Sequence, residues 1–180
     1  MKKLVLYYTY EGNTQAVAEA IAQTIDADIV KLVRVTETRT YGWRKKFSAY
    51  REVKRNKKPE IFPFKSDPRD YDIIFIGTPV WFDSYNPVYN TLFGAIKIYD
   101  RKVGLFSTGE NPETKALEKF KKLLADSIIL GELHLVEPIW CDTDEETEIE
   151  LDKARKWATE LTAKAEKMLE EEELTRRKAR

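Results

Sequence analysis

Three short polar segments in this chain have residue types and spacings suited to holding a ligand. The first, Thr9-Tyr10-Glu11-Gly12-Asn13-Thr14, follows the apolar run KLVLYY and precedes a helix-like stretch. A glycine there lets the backbone approach a bound group, and the unpaired N–H groups of a helix start would hold a phosphate. Thr9, Asn13 and Thr14 add polar side chains. The segment lacks the lysine of GxxxxGK[ST] and the GxGxxG of a dinucleotide loop. The second segment, Gly77-Thr78-Pro79-Val80-Trp81-Phe82, ends in aromatics, with Tyr85 close behind. Three aromatics at that spacing offer the face that a flat, amphipathic ring needs. The third, Ser107-Thr108-Gly109-Glu110, is again polar and glycine-containing. No Ser/His/Asp set, catalytic carboxylate pair or metal-ligand spacing accompanies them, so no catalytic residue and no metal ligand is assigned.

The elements that must position these segments follow from the apolar pattern. Residues 3–8, 27–35, 72–77, 101–107 and 127–140 read as strands, the last with Gly131 as a candidate break. Helical spacing covers residues 13–25, 41–54, 88–96, 112–126 and 145–169. Pro87 suits the first turn of the third helix, and Pro59, Pro63 and Pro68 keep the stretch after the second extended. Alternating strands and helices imply an α/β domain, with a parallel sheet, helices on both faces and right-handed crossovers. In such a sheet ligands bind beyond the carboxyl ends of the strands, which is where all three segments fall. One domain is expected over residues 1–169, with a charged tail at 170–180 that has little to bury and frays.

Composition narrows the function. The 180 residues carry 31 Lys+Arg and 31 Asp+Glu, a formal net charge of zero, which disfavours a nucleic-acid binder. One cysteine excludes an internal disulfide and one histidine a multi-histidine metal centre. No apolar run approaches the roughly 20 residues of a bilayer span, so a cytoplasmic location is expected. The neutral total hides a division: residues 39–69 hold eleven Lys/Arg against Glu52, Glu60 and Asp67, while residues 142–173 hold thirteen acids against five bases. Within the basic block, Trp43, Phe47, Tyr50 and Val53 form a stripe that reads as core packing. Cys141 reads as a structural thiol and His134 as a strand residue.

The strand-T-x-x-G-N-T-helix pattern resembles the phosphate loop of the flavodoxin family, and Gly77-Thr78-Pro79-Val80-Trp81 resembles its second flavin loop. The resemblance spans about residues 3–165. It implies a three-layer sandwich around a five-stranded parallel sheet of order 2-1-3-4-5, with FMN as a non-covalent cofactor. By position, Thr9, Tyr10, Glu11, Gly12, Asn13 and Thr14 would surround the phosphate. Thr78, Pro79, Val80, Trp81 and Phe82 would line the isoalloxazine, and Thr108, Gly109 and Glu110 would close its pyrimidine side. Two departures stand out. Glu11 replaces the usual hydroxyl residue and is expected to turn outward. The loop after Trp81 has no glycine before Asn86, which makes a positive-φ turn costlier and disfavours one-electron chemistry. The leading expectation is a cytoplasmic electron-transfer protein with a redox protein partner. The alternatives are an NAD(P)H-dependent reductase of a quinone-like acceptor, for which Arg44, Lys45, Lys46, Arg51 and Lys54 could meet a nucleotide phosphate, and a binding module that has lost FMN. Either a monomer or a homodimer is compatible with the resemblance.

Overall fold

The computed structural model describes residues 1–36 and 43–179, and the side chains of Trp43, Arg44 and Lys45 lie outside the description. Five strands, β1 (Lys3–Tyr7), β2 (Asp28–Lys31), β3 (Ile73–Pro79), β4 (Lys102–Gly109) and β5 (Ile128–Val136), form one parallel sheet of order β2-β1-β3-β4-β5. The helices are α1 (Asn13–Ile25), α2 (Trp43–Lys54), α3 (Val88–Ala95), α4 (Ala116–Lys121) and α5 (Asp144–Lys178). The alternation of side chains along buried strands divides the core in two. Val5, Tyr7, Ile73 and Phe75 pack with α1 and α5, while Leu4, Leu6, Ile74 and Ile76 pack with α3 and α4. This is the three-layer α/β sandwich expected from the sequence.

Several elements differ from expectation. The second strand ends at Lys31, and residues 33–35 instead exchange backbone bonds with an antiparallel segment at 60–62. Gly131 does not break β5. Leu130 is an extra residue in the ladder, since Val103 pairs with Ile129 and Gly104 with Gly131. Those two facing glycines admit α5: an added Cβ on Gly104 would lie 3.0 Å from Leu161, and one on Gly131 would lie 3.0 Å from the same side chain. The helix expected over 112–126 contracts to α4 and a 3-10 turn, Lys122–Leu124.

The segment beyond residue 169, expected to have little to bury, continues the last helix. α5 opens on a capping box between Thr143 and Glu146 and runs 35 residues to Lys178. Beyond residue 169 it is held by Glu172, which accepts from the buried Lys102 ammonium at 2.9 Å, and by Arg177 on Glu173. Among the described residues, no helix is long and apolar enough to cross a membrane.

Candidate functional site

The carboxyl ends of β1, β3 and β4 meet at one edge of the sheet, and each expected loop is there. After β1 the chain turns at Gly12, whose φ of 98° is the left-handed conformation glycine adopts without strain. The Gly12 N–H donates to Thr9 Oγ1 at 3.1 Å. The N-cap residue Gly12 has no side chain to cap α1, so the helix start presents its first-turn N–H groups as a place for an anion. Asn13 Oδ1 accepts from the Ile139 N–H at 3.1 Å, tying this loop to the one after β5. Thr14, almost wholly buried, shares a 2.8 Å hydrogen bond with Thr108 and so joins the first loop to the third.

The second loop is a tight turn. Trp81 and Ser84 exchange backbone hydrogen bonds of 2.7 and 3.0 Å, and Phe82 and Asp83 both have positive φ, 49° and 57°. Asp83 holds that conformation from across the fold. Its Oδ1 accepts from the Lys115 N–H at 2.6 Å and from Thr114 Oγ1 at 3.1 Å, and the Lys119 ammonium donates to its carbonyl at 2.5 Å. The Lys115 N–H, with Thr114 and the nearby lysines, holds the Asp83 carboxyl below the usual carboxylate range. On the inner side, Trp81 meets Tyr10 edge-on, with centroids 5.8 Å apart.

The third loop leaves β4 beside Val80, whose N–H donates to the Thr108 carbonyl at 2.8 Å. Gly109 has no room for a side chain, because a Cβ would come within 2.9 Å of Val80. His134 braces this loop between Ser107 Oγ and the Asn111 carbonyl, both at 2.8 Å. The neutral tautomer with Nε2–H toward the carbonyl satisfies both partners. His134 is therefore a structural residue, as is Cys141, whose thiol faces the Pro138 carbonyl at 3.7 Å.

Together the loops enclose a cavity of about 360 Å³. Thr9, Tyr10, Glu11, Asn13 and Thr14 line one end, Pro79, Val80, Trp81 and Phe82 a side, and Thr108, Gly109 and Glu110 the third wall. Two expected residues lie behind the wall. Gly12 shapes the turn without lining the space. Thr78 is fully buried, its hydroxyl accepting from the Asn86 N–H at 2.9 Å and donating to the Pro79 carbonyl at 3.0 Å, so it closes the loop and does not line the cavity. Tyr85 is also withdrawn: its ring stacks on Phe120 at 4.9 Å and its hydroxyl donates to Asn90, leaving Tyr10 to supply the third aromatic.

The wall also contains residues that sequence reasoning did not reach. Glu137, at the end of β5, and Asn111, Glu113 and Thr114, beyond β4, follow from the strand-end rule extended by one strand and a few residues. Ala49 comes from α2, as does Lys46, which the sequence offered above only as a partner for a nucleotide phosphate; no sequence signal places that helix against the cavity. The described part of its stripe is not core either: Phe47 and Tyr50 are 54% and 44% exposed and Val53 is half-buried, and among the described side chains of the helix the buried one is Glu52, paired with Arg34 at 3.0 Å. Trp43, Arg44 and Lys45, singled out above, have side chains outside the described residues. Lys46 is the one described cation in a wall that also holds Glu11, Asp83, Glu110, Glu113 and Glu137. Glu11 is exposed, at the rim.

The profile of the flavodoxin family matches residues 2–150. Among solved structures, a flavoprotein from Lactobacillus acidophilus NCFM, crystallised in complex with FMN, is 27% identical over 74% of this chain and 92% of its own, with a TM-score of 0.64. A Bacteroides eggerthii DSM 20697 protein, provisionally termed a flavoprotein, shares 20% identity over 89% of this chain and 98% of its own, at a TM-score of 0.73. Oxidised flavodoxin 2 from Bacillus cereus shares 18% identity over 91% and 99%, at 0.55. The last two establish likeness of fold alone. No curated protein matches the sequence.

Proposed function

The chain belongs to the flavodoxin family, and from that premise we propose that it binds FMN in the three-loop cavity and transfers electrons to a protein partner in the cytoplasm. The observation that carries the reading is the asymmetry of the cavity. The start of α1 lies at one end, where Gly12 offers no side-chain cap, and the aromatic side is formed by Trp81 and Phe82, with Tyr10 of the first loop meeting Trp81 edge-on. Those features match a molecule with a phosphate at one end and a flat ring at the other. The FMN complex of the Lactobacillus flavoprotein supports the assignment.

In this reading the first-turn N–H groups of α1, with Thr9, Asn13 and Thr14, hold the phosphate. Gly12 gives the backbone its close approach, and Glu11 stays at the rim. Trp81 and Tyr10 bound the ring, Phe82 shields its edge, and Pro79 and Val80 form the floor. Thr108, Gly109 and Glu110 close the remaining side. The flavin, once bound, supplies the redox chemistry; the protein sets its exposure and electrostatic surroundings. The test is addition of FMN to purified protein, followed by gel filtration and visible absorbance. Co-elution of yellow flavin at one equivalent is expected, and a stably folded protein that leaves FMN in the small-molecule fraction would sink the proposal.

A second reading, an FMN-dependent NAD(P)H:quinone reductase, draws support from Lys46, a cation in an otherwise acidic wall that could meet a nucleotide phosphate. Steady NAD(P)H oxidation with a quinone and no added protein would favour it over the carrier.

A further inference from the structure

The cavity explains why Lys46, Ala49 and Phe82 lie together, but not why Phe47 and Tyr50 of α2 turn to solvent. Phe82, 46% exposed, meets Tyr50 edge-on at 5.4 Å, and the Arg51 guanidinium lies 5.8 Å over the Phe47 ring. Lys46, Arg51, Lys54, Arg55, Lys57 and Lys58 surround them, all exposed. None of the six takes part in the ion pairs of the described residues. The single acid of this stretch, Glu52, is buried against Arg34 and neutralises none of that charge at the surface.

Contiguous exposed aromatics mixed with arginine are characteristic of protein interfaces, where large rings and guanidinium groups carry most of the binding energy. The patch is held in place. Arg34 anchors α2 through Glu52, and the segment that follows is tied to α3 by Asn90 donating to the Lys57 carbonyl and Thr91 to the Pro59 carbonyl. A preorganised surface loses less entropy on binding. A small ligand calls for a concave site; half-exposed side chains on one helix face suit a macromolecular contact instead. The sign of the charge selects an acidic partner.

We propose that the exposed face of α2, together with Phe82, docks an acidic redox protein and brings that partner's redox centre to the mouth of the cavity. The docking step stands on the surface alone; its use in electron transfer rests on the FMN reading. Isotope-labelled, FMN-loaded full chain would be titrated with two acidic probes, a plant-type ferredoxin and a rubredoxin, and with the basic cytochrome c as the opposite-charge probe. An acidic probe is expected to shift amides of residues 46–58 and 82. Its affinity should fall about tenfold or more from low to physiological salt, and the basic probe should not bind there. The double variant Lys54→Glu/Arg55→Glu should lose about tenfold in probe affinity while keeping FMN affinity within about twofold, because neither residue lines the cavity. No binding by either acidic probe, shifts confined to other surfaces, or an unaffected double variant would overturn the proposal. So would NADPH shifting the same amides at least as tightly, since the patch would then be a nucleotide site. If the chain binds no FMN, the functional reading falls, and the titration of the flavin-free chain still decides the docking surface.

Discussion

Gly12 and Glu11 sit side by side in the first loop and make opposite predictions. Gly12 occupies a left-handed φ, and a Cβ there would lie 3.3 Å from Ile139 Cδ1. Gly12→Val adds a branched side chain to a conformation that such residues avoid, at the point where the backbone must approach a phosphate. FMN affinity, followed by quenching of flavin fluorescence, should fall by about 2 kcal/mol or more, roughly thirtyfold. A loss below about threefold would show that the loop does not approach the ligand there. Glu11, exposed at the rim, is expected to matter little. Glu11→Thr should change affinity by less than about tenfold, whereas a larger gain would mean that the carboxylate faces the phosphate.

At the scale of elements, the turn at 81–84 changes an expectation. From the sequence, the missing glycine makes a left-handed turn costly by about 1 kcal/mol and argues against one-electron chemistry. In the fold, Phe82 and Asp83 already hold that conformation, and bonds from α4 and its entry to Asp83 offset the cost. The missing glycine is therefore no argument against a one-electron carrier. Asp83→Ala removes the carboxylate bonds to Thr114 and Lys115, leaves the Lys119 bond to the carbonyl and keeps a Cβ at positive φ, and should lower stability by about 1–2 kcal/mol in urea denaturation. Asp83→Gly should recover part of that loss. The carboxyl is held below its usual range, so the clamp's contribution is complete above the ordinary carboxylate pKa of about 4 and is lost as pH falls through the lower folded value. The Lys115 amide resonance should hence stay put down to about pH 4 and move only below it. Movement centred near neutral pH would contradict the clamp. Across the sheet, Gly104→Ala would push a methyl against Leu161 and Phe75 and should cost about 1–3 kcal/mol, read as a shift in the denaturation midpoint.

For the molecule as a whole, the two ends of the sheet do different work. The cavity lies past the carboxyl end of β4, and Lys102, at its amino end, is held by Glu172 of α5. Eight residues of strand separate them by roughly 23 Å. Removing residues 170–180 leaves the Lys102 ammonium, 4% exposed, without its carboxylate. Because Glu172 is itself 41% exposed, the loss in stability should be modest, about 1 kcal/mol, with FMN affinity unchanged. Thermal melting and flavin titration of the truncated chain test both halves of that statement. The balanced net charge hides a basic shelf at the cavity mouth and an acidic last helix, which fits a protein that presents only one face to an acidic partner.

The strands, their order of appearance and the three loops that line the cavity were legible in the sequence because each depends on local signals. Apolar runs of strand length, helical spacing between them and polar residues at strand ends need no knowledge of distant partners. Gly12 was legible for the same reason, since a glycine between a strand and a helix marks a turn of special φ. Tertiary structure decided the rest. Thr78 lies behind the wall because Asn86, eight residues on, takes its hydroxyl. Tyr85 leaves the site because Phe120 offers a stacking partner. The stripe on α2 looks like core by periodicity, yet Arg34 draws Glu52 inward and turns Phe47 and Tyr50 out. The tail is helical because Lys102 waits for it at the bottom of the sheet. In each case a side chain had two compatible environments, and only a residue far along the chain determined which one it took.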